Sequence, residues 1–280
     1  MIHPLVSIII PTFNRAKLLK DTLESVIQQS YKNWECIVID DGSKDNSIAL
    51  LKGFAENDDR IKYYIRPEKI RKGASSCRNY ALNKIRGSFV QYLDSDDIIH
   101  EHKIQKQIEK INNQTICTCK WGYFSHGELF SRLKYKQRCY RNFNRPVRLL
   151  YYFGNYNEFL PLHAYLIPRE IINKTGFWKE NLGNNDDAEY ISRILVNARK
   201  VKFIKDAVVF YRVEGFSTLS GFNTLENAES AILSLKYISD NLSDFPNTRR
   251  KYLDNLKKII RNKIQDVFPQ LYEKNQELLS

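Results

Sequence analysis

The 280-residue chain carries 44 Lys and Arg against 32 Asp and Glu, a formal net charge of +12, with 42% hydrophobic and 27% charged residues. That balance excludes a disordered or fibrous chain. At this length a folded chain buries roughly three quarters of its unfolded surface, enough for one α/β core with an appendage. The positive charge fits an anionic partner (nucleic acid, an anionic membrane surface or a phosphate-bearing substrate) without choosing among them.

Residues 5–11 form the longest apolar run, far short of the ~20 needed to cross a bilayer. Met1-Ile2-His3-Pro4 leads directly into it without a signal-peptide pattern, so the expected location is the cytoplasm. The five cysteines (Cys36, Cys77, Cys117, Cys119 and Cys139) are irregularly spaced. Only Cys117 and Cys119 are close, and no second pair completes a zinc site, so free thiols are expected.

Leu5-Val6-Ser7-Ile8-Ile9-Ile10, closed by Pro11, predicts a strand buried on both faces. Residues 16–29 place Leu18, Leu19, Leu23, Val26 and Ile27 on one helical stripe. Residues 34–39 repeat the buried-strand pattern and end in Asp40-Asp41-Gly42-Ser43, whose chemistry favours a turn into a capped helix. A third cycle has a strand at 61–65, a polar loop through Gly73 and a helix at 76–85; a fourth strand at 89–93 ends at Asp94. Such alternation predicts a parallel sheet with right-handed crossovers and ligands at the carboxyl ends of the strands.

Beyond it, a helix is predicted at 102–113 and a strand at 115–123, while 129–157 is aromatic, basic and without a clear period. Short strands are predicted at 162–168 and 208–211, with a helix at 187–196 between them. From Asn223 the chain reads as helical, with Ile232, Leu235, Ile238, Leu253, Leu256, Ile259 and Ile260 on a background dense in Lys and Arg. That basic face reads as solvated, with docking on anionic lipids as the alternative.

Three motifs fall at the predicted strand ends. Asp94-Ser95-Asp96-Asp97 is either a hard-oxygen site for Mn²⁺ or Mg²⁺ or an acidic helix cap. Asp41 is either an acceptor for a nucleobase N–H or ribose hydroxyl, or part of an ordinary Asx turn. Arg71-Lys72-Gly73 with Arg78-Asn79 offers cations and flexible backbone near a helix start, which suits a diphosphate. Together they describe one crevice with a divalent-cation site flanked by cationic residues, as a nucleotide diphosphate requires. His163, in an apolar neighbourhood, reads as a buried hydrogen-bonded histidine. Trp121, Trp178 and the tyrosines around Tyr151 and Tyr156 read as core.

The ordered set Ser7-Ile-Ile-Ile-Pro-Thr-Phe-Asn-Arg15, Asp40-Asp-Gly-Ser43, Gly73 with Arg78-Asn79, and Asp94-Ser-Asp96 resembles the family 2 glycosyltransferases of GT-A fold over about the first 100 residues. Asn185-Asp186-Asp187-Ala188-Glu189 sits where that family places its catalytic-base motif, and Tyr211-Arg212 followed by Ser217 resembles its closing segment. Many relatives carry a histidine after the Tyr-Arg pair; here Val213, Glu214, Gly215 and Phe216 follow.

The resemblance implies an α/β fold with a mainly parallel sheet, flanking helices and a metal-dependent, inverting transfer of a hexose or N-acetylhexosamine. The donor would be a UDP-sugar and the acceptor a saccharide, lipid-linked in one version, in bacterial surface polysaccharide such as O-antigen or capsule. It places Pro11, Thr12, Asn14, Arg15, Asp41, Arg71, Gly73, Arg78, Asp94 and Ser95 around the nucleotide sugar. Thr12 and Asp41 would hold the base, Asp94 would contact ribose or metal-bound water, Asp96 would bind Mn²⁺ or Mg²⁺, and Asp187, with Asp186 its rival, would be the general base. The implied division is a catalytic domain at 1–220, with a nucleotide-binding half at 1–100 and an acceptor-binding half at 101–220, then a helical basic extension at 221–280. A nucleotidyltransferase is the alternative enzyme, but it usually needs a glycine-rich loop after the first strand, and Pro11-Thr12-Phe13-Asn14-Arg15 has no glycine. A basic nucleic-acid-binding module would explain the charge, yet acidic turns at strand ends repel phosphate unless a metal is bound, so no nucleic-acid partner is expected.

Overall fold

A computed structural model describes residues 3–125, 128–134, 136–213, 222 and 224–280, the side chains of 128–132 excepted. In chain order the elements begin with β1 (Val6–Thr12), α1 (Ala16–Ile27), β2 (Trp34–Asp40), α2 (Ser47–Asn57), β3 (Ile61–Ile65), α3 (Ala74–Leu82), β4 (Phe89–Tyr92), β5 (Ile98–Ile99) and α4 (Lys103–Ile108). Next come β6 (Thr115–Ser125), β7 (Glu128–Leu133), α5 (Arg148–Tyr156), β8 (Ile167–Pro168), α6 (Arg169–Thr175), α7 (Asp186–Asn197) and β9 (Lys200–Arg212). Four helices follow: α8 (Leu225–Asn241), α9 (Pro246–Ile264), α10 (Pro269–Lys274) and α11 (Gln276–Leu279).

β1 and β2 are buried at every position, as strands covered by helices on both faces must be. The first sheet runs β3-β2-β1-β4-β8. Its first four strands are parallel, joined by α1, α2 and α3, and β8 pairs antiparallel with β4. The register sets up the functional edge. Thr12 lies opposite Asp40, Asp41 N donates to Thr12 O at 2.9 Å, and Leu93 N to Ile9 O at 3.0 Å. The turns that follow β1, β2 and β4 therefore emerge side by side.

The second sheet, β5-β9-β6-β7, was only partly legible. The expected short strand at 208–211 is the end of β9, whose charged Lys200, Lys202, Lys205 and Asp206 disguise its strand pattern. At 162–168 only Ile167 and Pro168 pair with β4, and Leu162–Ala164 forms a 3-10 helix after Pro161. The 129–157 stretch divides into β7 and α5, with Leu149, Leu150 and Phe153 buried on the helix. The helix expected at 102–113 shortens to α4, and that at 76–85 lies earlier, as α3.

α9 buries Thr248, Tyr252, Leu256, Ile260 and Ile264, a stripe of one residue per turn, and leaves Arg250 and Lys258 exposed, while Lys263 lines the cavity described below. Tyr252, Leu256, Ile260 and Ile264 join the same hydrophobic core as β1. Where α9 crosses α5, a Cβ on Gly154 would lie 2.2 Å from Lys251 O, so only glycine allows the approach. All five cysteines are free and buried. Among the described residues no helix is long and apolar enough to cross a membrane. Asn223, where the helical region was expected to start, lies outside the described residues.

Candidate active site

The carboxyl edge of the first sheet opens into a cavity of about 970 Å³. Its loops are stitched together before any ligand enters. Asn14, at φ 51°, accepts Lys44 N on Oδ1 and donates its own N–H to Ser43 Oγ, both at 2.8 Å. Arg15 N donates to Ser47 Oγ at 3.1 Å and Ala16 N to Asp45 Oδ2 at 3.0 Å. The two acidic residues after β2 divide their work. Asp40 makes the Asx turn, accepting Gly42 N and Ser43 N on Oδ1. Asp41 lines the cavity, pairing with Arg66 and accepting Gly73 N at 3.0 Å, an orientation that needs Gly73's φ of 137°. Thr12, 3% exposed, lines the cavity beside it with Oγ1 unpartnered. Lys72 Nζ lies 3.7 Å above the Phe13 ring. Arg71 lies at the rim, its side chain half exposed and 3.4 Å from Glu226.

Arg78 lines the cavity and is held by carboxylates. It is buried, with NH2 donating to Asp94 Oδ1 at 2.7 Å and NH1 to Asp186 Oδ2 at 2.9 Å, above the Trp178 ring. Ser75 Oγ also donates to Asp186 Oδ2, at 2.7 Å. Asn79 clasps the next loop, accepting Trp178 N at 2.8 Å and donating to Trp178 O at 3.0 Å. The Arg78-Asn79 motif thus ties β4 to α7.

After β4, Ser95 is buried, and Asp94 and Asp96 are partly exposed to the cavity. Asp97 points inward instead. It accepts Arg212 N at 2.8 Å, and Oδ2 lies 3.0 Å from Nδ1 of the fully buried His163. Arg212 Nε donates to Asp96 O at 2.7 Å and NH2 to Asp21 at 2.8 Å, so the end of β9 clasps the acidic turn. Glu214, Gly215, Phe216 and Ser217 of the expected closing segment lie outside the described residues.

Asp96 has Arg15 Nε at 3.9 Å. Burial, with Asp97 and Asp94 beside it, pushes its pKa up to about 7. Arg15 only partly offsets the neighbouring carboxylates, and the oxygens of Asp96 suit Mn²⁺ or Mg²⁺. Among the described residues no three His, Cys, Asp or Glu converge as a metal cage. A cation held by Asp96 would complete its shell with phosphate oxygens and water, as Mg²⁺ commonly does. The residues present fit a metal bound jointly with a diphosphate.

Asp186 and Asp187 open α7 with contrasting surroundings. Asp186 is committed to Arg78 and Ser75, whereas Asp187 accepts only its neighbour Ala188 N, at 2.7 Å, and faces the cavity. Asp187 is solvent-exposed where it lines the cavity. Partial desolvation by the cavity wall and the adjacent Asp186 raise its pKa above the usual aspartate range. Arg66 and Ser75 went unnoticed in the sequence, and Arg212 was named only as part of the closing segment. Arg66, one residue beyond β3, stands at the same sheet edge as the motifs; Ser75 and Arg212 meet their partners only through folding.

A mainly parallel sheet with carboxylates and a cavity of about 970 Å³ at its carboxyl edge has room for a ligand of nucleotide-sugar size. Residues 7–175 match glycosyl transferase family 2, and the chain belongs to that family. It is 38% identical over 116 residues to an uncharacterised glycosyltransferase of Haemophilus influenzae, covering 41% of this chain and 46% of that protein. It is 37% identical over 120 residues to Bacillus subtilis TuaG, provisionally named a teichuronic acid biosynthesis glycosyltransferase, covering 43% and 47%. The aligned region thus spans about half the length of these curated relatives. The structure of S. aureus TarS 1-349 in complex with UDP-GlcNAc superposes with a TM-score of 0.75 at 18% identity, covering 97% of this chain and 78% of that one. The fold is GT-A.

Proposed function

We propose that the chain is an inverting, metal-dependent glycosyltransferase that moves a hexose or N-acetylhexosamine from a UDP-sugar to a saccharide in bacterial surface polysaccharide synthesis. The observation that carries this reading is the asymmetry of Asp186 and Asp187: one carboxylate is locked by Arg78 and Ser75, while the other faces the cavity and holds protons more tightly than usual. TarS binding UDP-GlcNAc on the same fold supports UDP as the nucleotide.

In this reading Thr12 and Asp41 receive the uracil, Pro11, Asn14 and Arg15 shape the loop around it, and Arg71 and Gly73 line the path of the diphosphate. Arg78 acts indirectly, holding Asp94 toward the ribose. Asp96, with Ser95 behind it, would hold Mn²⁺ or Mg²⁺, and the bound cation would neutralise charge growing on the departing diphosphate. Asp187 takes the proton of the acceptor hydroxyl as its oxygen bonds to the anomeric carbon. The anomeric C–O bond to the diphosphate breaks on the opposite face, and its electron pair leaves with UDP. One displacement inverts the anomeric centre.

Incubating the protein with UDP-GlcNAc, UDP-Glc and UDP-Gal plus Mn²⁺ tests the reading. Release of UDP from at least one donor, lost with EDTA, is the expected outcome; a folded protein that neither binds UDP nor releases it would sink it.

The basic residues of α9, including Arg249, Arg250, Lys257 and Lys258, support a place on the inner face of the cell membrane, where a lipid-linked acceptor would lie. Each is worth about 1 kcal/mol near an anionic surface. Co-sedimentation with phosphatidylglycerol vesicles at low salt, lost at high salt, is expected; no sedimentation at low salt would remove the membrane from the proposal. The charge of +12 is then accounted for without nucleic acid.

A further inference from the structure

The cavity has a wall that the nucleotide loops do not supply. It is formed by Phe159 and neighbouring residues after α5, by Tyr165, and by Tyr252, Asn255 and Ile259 of α9.

Two hydroxyls on this wall have no role in the chemistry derived above. Tyr165 is 1% exposed and its Oη has no hydrogen-bond partner. Buried polar atoms are nearly always satisfied, so one that lines a cavity points to a ligand atom. Tyr252, 6% exposed, approaches from a different part of the chain. Burial and then the charge of Asp187 raise the Tyr252 pKa, and Asp187 also acts on Tyr165 after burial and Tyr252 itself. Both phenols therefore lie within electrostatic reach of Asp187 and remain protonated donors.

Their placement is rigid. Gly154 lets α9 approach to backbone contact at Lys251 and Tyr252, and the Phe153 and Tyr252 ring centroids lie 6.5 Å apart. Phe159, 45% exposed, packs with its ring centroid 4.5 Å from that of Trp121 and presents an aromatic surface to the cavity. Hydroxyl donors beside an exposed ring, with Glu158 and Lys263 also lining the cavity, suit a polyhydroxylated ligand: the hydroxyls orient it and the ring covers its apolar face.

We propose that Tyr165 and Tyr252 form the acceptor subsite, donating to oxygens of a pyranose so that one of its hydroxyls faces Asp187, while Phe159 stacks on the sugar. This rests on Asp187 as the base and makes α9 part of acceptor recognition.

Saturation-transfer NMR with methyl β-D-glucopyranoside, in the presence of UDP and Mn²⁺, tests it on the full chain. The wild type should give a saturable signal. Tyr165→Phe and Tyr252→Phe should each weaken sugar binding about fivefold, the value of one hydrogen bond, and the double variant should weaken it further. UDP affinity, measured in parallel by calorimetry, should stay within about twofold. Tyr165→Phe removes an unpaired buried hydroxyl and should melt no lower than the wild type, which keeps it informative if Tyr252→Phe folds poorly. Unchanged sugar affinity in the double variant, or no saturable signal from a wild type that binds UDP, would overturn the subsite alone. A wild type that binds no UDP overturns the nucleotide reading and this inference with it.

Discussion

Asp187→Asn should lower kcat by roughly 10²–10⁴-fold, the contribution of a positioned general base, while UDP affinity stays near wild type. Asparagine keeps the shape and cannot take the proton. The pH profile provides a second check with a definite sign. A base works deprotonated, and partial desolvation with Asp186 alongside raises the pKa of Asp187. Activity should therefore fall as pH drops through a value above the ~3.9 of an unperturbed aspartate, and the residual activity of Asp187→Asn should lack that limb. Asp186→Asn should behave differently, because it removes a partner from buried Arg78 and Ser75. Its cost should appear first in the melting temperature. If Asp186→Asn lost activity without loss of stability and Asp187→Asn remained active, the two roles would be reversed.

Asp96→Ala should abolish the metal-dependent part of UDP binding. In calorimetry the wild type should bind UDP more than about tenfold tighter with Mn²⁺ than with EDTA, and the variant should show one weaker affinity under both conditions. Removing Asp96 should not unfold the protein: its side chain pairs with Arg15 at 3.9 Å, and it crowds Asp94 and Asp97. Losing a poorly neutralised carboxylate relieves repulsion. A variant that keeps the metal-dependent increment would move the cation to Asp94.

The nucleotide half of the site was readable because each motif directly follows a strand in one parallel sheet. β1, β2 and β4 are short and mostly apolar, so their ends are marked by the residues that turn the chain. Equivalent ends of parallel strands must lie along one edge. Asp41 and Asp96 follow from that rule, and Thr12 was added by the resemblance. The base motif on α7 was found by resemblance alone, since nothing in its spacing says which strand end it faces.

Other features depend on contacts between distant residues. Arg78 lines the cavity as the motif suggested, but its pairing with Asp94 and Asp186, 16 and 108 positions away, leaves no local pattern. The choice between Asp186 and Asp187 depends on the same contact. Likewise, the basic sequence after residue 223 reads as a solvated helical face, and Arg250 and Lys258 are exposed, whereas Lys263 lines the cavity. What sequence periodicity could not say was where the apolar stripe of α9 would pack. Close approach at Gly154 sets that stripe on α5 and brings Tyr252 into the wall of the cavity. The sequence by itself therefore determined the α/β class, the edge that carries the nucleotide motifs and the acidic turn. Tertiary structure decided which carboxylate is free to act and which helix closes the site, because both depend on packing between segments that local hydrophobic pattern and turn chemistry do not connect.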